Sequence, residues 1–145
     1  MMARGEALTS GFIFFIWLLT GAFVFVNLDW ESRVYSLTIF TFSFVLNTAL
    51  KAHFRTERII DDKSRIYYPG IQKYSFPSAH TQLAFTVSSI IESFYPPLWL
   101  YSITLAFATA ASRYLLGRHT RKEILWGAVL GYVVGQLGVM IYGRI

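Results

Sequence analysis

Three short clusters in the sequence hold residue types that can act together on an anion. They are Lys51 with Arg58, the run from Phe76 to His80 (FPSAH), and the run from Ser112 to Glu123 that contains Arg113 and His119. Lys51 and Arg58 are seven residues apart, about two helical turns, so a helix running through both would present two cations on one side. Pro77 and Ser78 stand where a helix begins. The free N–H groups there suit an anion, Ala79 supplies its N–H without bulk, and Ser78 is equally suited to be an ordinary cap. Arg113 and His119 are six apart, which would separate them around a continuous helix, so the chain has to turn between them, and Gly117 supplies the break. After the turn His119 and Glu123 stand at i and i+4, where the carboxylate can accept a hydrogen bond from the ring.

These groups suit phosphoryl transfer. Cations and N–H donors hold phosphate oxygens, one imidazole attacks phosphorus, and a second protonates the departing oxygen. Neutral imidazole is abundant near pH 7. Glu123 would fix the tautomer that leaves the attacking nitrogen unprotonated, and water would then hydrolyse a phosphohistidine. The third histidine, His53, reads as an interfacial polar residue. The three histidines show no metal-ligand spacing, and the absence of cysteine rules out disulfides and thiolate sites.

The elements that must position these clusters follow from composition. The chain of 145 residues is 54% hydrophobic and 18% aromatic, with 14% charged residues, which is more apolar than a water-soluble domain. Stretches free of Asp, Glu, Lys and Arg run over 7–28, 34–50, 74–91, 93–112 and 124–143. Each is close to the roughly 20 residues that a helix needs to span about 30 Å of hydrocarbon. The expected fold is all-α, a polytopic membrane helical bundle of about five transmembrane helices in one domain, 1–145. The first window could alternatively be an uncleaved signal sequence.

Each crossing switches sides, so one face collects residues 1–6, the segment from Lys51 to Lys73 and the turn from Arg113 to Glu123. Eleven of the 13 Lys and Arg residues lie on that face, all but Arg33 and Arg144. The positive-inside tendency would place it in the cytoplasm. The bilayer and its lipids are the partners this pattern implies, with no nucleic acid. Gly127, Gly131 and Gly135, with Gly138 close by, leave a stripe on the last helix where another helix can approach. Trp17, Trp30, Trp99 and Trp126 read as interface anchors.

The three clusters together resemble the type 2 phosphatidic acid phosphatase superfamily, whose pattern is K-x6-RP, PSGH and SR-x5-H-x3-D. Here it reads Lys51 to Arg58, then Pro77, Ser78, Ala79 and His80, then Ser112, Arg113, His119 and Glu123. Ile59 replaces proline, Ala79 replaces glycine and Glu123 replaces aspartate. The last change adds a methylene, so the contact to His119 needs another rotamer or a displaced helix.

The resemblance implies a PAP2/haloperoxidase-like core, reduced from the six transmembrane helices that many members have. It assigns His119 as nucleophile, Glu123 as its partner and His80 as the acid for the leaving group. Lys51, Arg58, Ser78, Ala79 and Arg113 would hold phosphate, and the reaction would need no metal or other cofactor. The hydrophobic windows set the chain apart from soluble vanadate-holding relatives and point to a phosphorylated membrane lipid as substrate.

The segment from Ile59 to Phe76, with Lys63, Arg65, Tyr67, Tyr68 and Lys73, is expected either as an interfacial lid or as a solvated loop drawn to anionic lipid. The leading substrate expectation, from similarity to small bacterial lipid phosphatases, is lipid A at its 1-phosphate. Undecaprenyl pyrophosphate and phosphatidylglycerol phosphate are the alternatives, and a lipid-binding protein without turnover is the alternative of another class. The resemblance places the site outside the cytoplasm, on the periplasmic or exterior side of a bacterial inner membrane. It takes precedence over the charge tendency because Lys51, Arg58 and Arg113 have another use.

Overall fold

A computed structural model describes residues 2–58 and 70–143. These residues form five helices: α1 (Met2–Asn27), α2 (Trp30–Phe54), α3 (Ala79–Phe94), α4 (Trp99–Leu115) and α5 (Arg121–Tyr142). Among the described residues the only pairing of extended backbone is a single antiparallel bridge between Glu57 and Tyr74. The chain is therefore an all-α bundle, as its hydrocarbon-length windows require, because within a bilayer a helix satisfies its own backbone.

Among the described residues three helical spans are long and apolar enough to cross a membrane by themselves: Leu8–Asn27, Trp30–Phe54 and Arg121–Tyr142. The third and fourth windows overstate their helices, which are only 16 and 17 residues long. Residues 74–78 carry no charge yet form a loop, and α3 begins only at Ala79. Pro96 and Pro97 occupy a one-turn 3₁₀ segment that separates α3 from α4.

The bundle distributes polarity in the opposite sense to a water-soluble domain. Its most enclosed helix is α3, packed against α2, α4 and α5, and Thr81, Gln82, Thr86, Ser88 and Ser89 on it are completely buried. Phe12, Phe14, Leu18, Phe42, Phe44, Leu125 and Leu137 face outward. Lipid tails are as apolar as leucine, so burial of apolar surface gives little drive for these helices to associate. Close packing and interhelical hydrogen bonds supply it.

Both are present at α3. The glycine stripe of α5 lies on it: a Cβ at Gly127 would stand 2.8 Å from the Ser78 carbonyl oxygen, and one at Gly131 would overlap the Gln82 backbone. From α2, Asn47 donates to Gln82 Oε1 at 2.8 Å and to the Pro77 carbonyl at 3.4 Å. Gln82 Nε2 donates back to the Ser43 carbonyl at 2.9 Å, and the Ser43 and Thr86 hydroxyls are 2.8 Å apart.

Two further polar residues are satisfied within the bundle. Glu92, near the end of α3, accepts from Tyr132 Oη (2.8 Å) and Gln136 Nε2 (2.9 Å) of α5. Arg33 donates to the carbonyls of Leu28 and Val26, both at 2.8 Å, closing the C-terminal end of α1. Trp17 is not an interface anchor. Its indole N–H donates to Thr109 Oγ1 of α4 at 3.0 Å, and the ring packs on the cluster of Phe85, Ala106 and Ala110.

Candidate active site

Lys51 sits in the last turn of α2, and Arg55 ends that helix in the left-handed region with φ 49°. The expected continuous helix through Lys51 and Arg58 is therefore absent. Instead the chain turns back and pairs with the segment before α3. Arg58 N–H donates to the Lys73 carbonyl at 3.2 Å and Ser75 N–H to the Thr56 carbonyl at 2.8 Å. The two cations still serve one site. The Lys51 ammonium is buried and donates to the Tyr74 carbonyl at 2.9 Å. Arg58 Nη1 lies 3.3 Å from the Arg118 carbonyl and 3.5 Å from His119 Nε2.

The FPSAH run forms the floor beside them. Phe76–Pro77 is a cis peptide bond. Ser78 occupies the N-cap position of α3, yet its hydroxyl makes no cap bond to the backbone and lies 3.0 Å from Thr81 Oγ1. Its own N–H donates to the Glu123 carbonyl at 3.1 Å. Ala79 opens α3, so its N–H falls among the first four, which have no acceptor one turn back within the helix. His80 follows in the first turn of α3 at the rim of the site, near Arg113, His119, Arg58 and Lys51.

Arg113 lies in the last turn of α4 and is buried. The chain then reverses through Gly117 at φ +65°, with Arg118 N–H donating to the Arg113 carbonyl at 3.0 Å. The space where a Cβ would stand is open, so glycine is needed here for its backbone freedom and not for room. The reversal brings His119 to the residue immediately before Thr120, the N-cap of α5.

Glu123 is the anchor of this corner. One carboxylate oxygen, Oε2, accepts from Thr120 N–H at 2.8 Å and faces His119 Nδ1 at 3.2 Å. Thr120 Oγ1 in turn accepts from Glu123 N–H at 3.4 Å, completing a capping box. The other oxygen, Oε1, accepts from Ser75 Oγ at 2.5 Å. The longer side chain thus reaches His119 while bonded on both sides. Burial holds the His119 imidazole below its ordinary pKa. The bond to Glu123 raises it in part, and the Arg58 charge lowers it again. The net lowering favours the uncharged ring.

All eight expected site residues therefore fall at one end of the bundle. Lys51, Arg58, His119 and Glu123 are linked around the segment 74–78, Ser78 and Ala79 begin α3 below it, and His80 and Arg113 flank it. Ile59 and the residues Lys63, Arg65, Tyr67 and Tyr68 of the expected lid lie outside the described residues. Among the described residues no group of three His, Cys, Asp or Glu side chains is gathered as metal ligands.

The model of the PAP2 superfamily matches residues 31–144. The chain belongs to the PAP2 superfamily. One curated relative is the lipid A 1-phosphatase of Porphyromonas gingivalis, 33% identical over 81 residues. That match covers 53% of this chain and spans only 18% of the relative's length. A crystal structure of the transmembrane PAP2-type phosphatidylglycerolphosphate phosphatase from Bacillus subtilis superposes with a TM-score of 0.69. It covers 99% of this chain and 74% of that one at 22% identity, a likeness of fold. The chain is thus an integral membrane protein built on a PAP2 core.

Three contacts of this PAP2 site have no place in the sequence pattern. Helix α1 precedes the residues matched by the family, yet its Ser10 hydroxyl lies 2.8 Å from Arg113 Nη2. Ser75 carries no motif signal, and its hydroxyl is placed by tertiary pairing. The Thr120–Glu123 capping box was readable, because T-x-x-E before an apolar helix is its signature.

Proposed function

We propose that this chain is a lipid phosphatase, a single domain that transfers phosphate from a membrane lipid headgroup to His119 and then to water. The observation that carries this reading is the pair of neighbours on the His119 ring. Nδ1 faces Glu123, which as a carboxylate only accepts, so Nδ1 carries the proton. Nε2 faces Arg58, which only donates, so Nε2 keeps its lone pair next to a cation suited to phosphate.

Lys51, Arg58 and Arg113 bind the phosphate oxygens with the Ala79 N–H and the Ser78 hydroxyl. Lys51 and Arg58 now donate to neutral carbonyls, which a charged phosphate displaces because charge-assisted bonds are stronger. Ser78 exchanges Thr81 for a phosphate oxygen. The Nε2 lone pair then attacks phosphorus while the bond to the lipid oxygen breaks, and His80, which takes up a proton under the negative charge of the bound phosphate, gives that proton to the departing oxygen. Glu123 stabilises the resulting cationic ring. Water attacks the phosphohistidine and gives its proton to His80, and the P–N electron pair returns to Nε2. The products are the dephosphorylated lipid and inorganic phosphate, and no step calls on a metal.

Lipid A at its 1-phosphate is the leading substrate, supported by the 33% identity to a lipid A 1-phosphatase. Undecaprenyl pyrophosphate and phosphatidylglycerol phosphate are the competing lipids, the latter acted on by the structural neighbour. The site faces the periplasm or exterior of a bacterial inner membrane. Purified protein in detergent with EDTA should release phosphate from lipid A faster than from the other two lipids. Faster release from either competitor reassigns the substrate. Release from none of the three makes the chain a lipid-binding protein.

A further inference from the structure

We infer that Ser75 is a positioning residue for His119, acting through Glu123, and that it accommodates the glutamate in this site. This rests on the phosphatase reading above. Ser75 is buried, and its main chain is anchored by its N–H to the Thr56 carbonyl at 2.8 Å. Its hydroxyl has one proton and three acceptors within reach: Glu123 Oε1 at 2.5 Å, the Thr56 carbonyl at 3.2 Å and the Glu57 carbonyl at 3.5 Å. The shortest contact is also the charged one, so the proton goes to the carboxylate.

A glutamate has one more rotatable bond than an aspartate, and from an i+4 position it can meet the ring in several ways. Here its rotamer is held from two directions. Thr120 N–H and His119 Nδ1 take Oε2, and Ser75 takes Oε1 from the opposite segment of chain, 48 residues away. The carboxylate plane is thereby fixed, and with it the line along which Nδ1–H points. Rotation of the imidazole about that line sets where Nε2 faces phosphorus. Ser75 touches neither the ring nor the Arg58 guanidinium through any of these bonds, so its effect passes through Glu123.

The test is a coupling cycle read in turnover and binding. Ser75→Ala should lower kcat about 10- to 100-fold with KM changed less than about twofold, the loss expected for one charge-assisted bond. In a Glu123→Gln background the same change should cost less than about twofold more, because the residue it acts through is already altered. Ser75→Cys fills the same space with a poor donor and should behave as Ser75→Ala, which keeps the test open if alanine weakens folding. With histidine labelled with nitrogen-15, the His119 Nδ1–H resonance should move in Ser75→Ala. A full loss repeated in the Glu123→Gln background, or normal kcat in both Ser75 variants, overturns the inference. A wild-type chain inactive on every lipid overturns the phosphatase reading instead, and this inference with it.

Discussion

Gly131 of α5 lies against the main chain of Gln82 in α3 so closely that a methyl group on it would overlap the Gln82 carbonyl. The same stripe brings Gly127 to the Ser78 carbonyl. The spacing of α3 and α5 therefore also sets the distance between the FPSAH loop and Glu123, whose carbonyl accepts from Ser78 N–H. Gly131→Ala should destabilise the bundle by about 1–3 kcal/mol, because backbone cannot rotate away as a side chain can. Thermal unfolding in detergent measures this. Gly138→Ala, which meets only the side chain of Ile39, should cost less.

His119→Ala should reduce phosphate release by at least about a thousandfold, as expected for loss of a nucleophile. Its lipid binding should stay near wild type and the helix should persist, since the α5 cap is made by Thr120 and Glu123 and not by the buried His119 ring. Quantifying released phosphate alongside binding to lipid-bearing micelles separates the two. Retained turnover would remove His119 from the attacking role.

The pH profile carries a sign. His119 attacks only when neutral, and its pKa lies below the ordinary 6.5. The acid limb that His119 sets should therefore lie below pH 6.5, and loss of the His80 proton should set the alkaline limb. Glu123→Gln removes a charge that raises this pKa, so the acid limb should move to still lower pH. The plateau should drop on the order of a hundredfold, because the tautomer is no longer enforced. A limb that moves upward would contradict the pairing.

Asn47 ties α2 to both Gln82 and the Pro77 carbonyl from a buried position. Asn47→Leu leaves those acceptors without their donor, which should cost about 1–3 kcal/mol. Unfolding in detergent is again the measurement. Turnover should fall as well if the network steadies the loop that bears Ser78, and an unchanged rate would confine Asn47 to stability.

Ser10→Ala asks whether α1 contributes to the site. Its hydroxyl meets Arg113 Nη2 at 2.8 Å. Loss of this bond should raise KM a few-fold, about what one hydrogen bond to a charged group is worth when the charge remains. Steady-state kinetics on the preferred lipid reads it.

Much of the site was legible because its spacing is local. His119 and Glu123 meet at their four-residue interval, though across the capping box and not along the helix, since His119 precedes the N-cap Thr120. Gly117 breaks the chain where Arg113 and His119 require it, and the glycines of α5 mark the helix contact. Lys51 and Arg58 were legible as partners but not in their geometry. Their interval fits two helical turns, yet Arg55 leaves the helix and the bridge between Glu57 and Tyr74 brings Arg58 back. The charge-free window from 74 runs into the loop at 74–78, since hydropathy does not distinguish a helix from a loop enclosed by other helices, but Pro77 and Ser78 mark where α3 begins. Trp17 misled for a related reason: an indole N–H can find its partner inside a bundle as readily as at an interface.

By itself, the sequence determined the number and order of the helices, the end of the bundle that gathers the polar clusters, and the family. Hydrocarbon thickness sets helix length, and within the bilayer helices satisfy their own backbone, so these follow from runs of residue type. Only the tertiary structure decided how Glu123 reaches His119 with a methylene to spare, and what holds Arg113. Those answers come from Ser75, 48 residues from Glu123, and Ser10, 103 from Arg113. Contacts between such distant residues arise from the packing of α1, α3, α4 and α5, where buried polar groups must find partners that local spacing does not record.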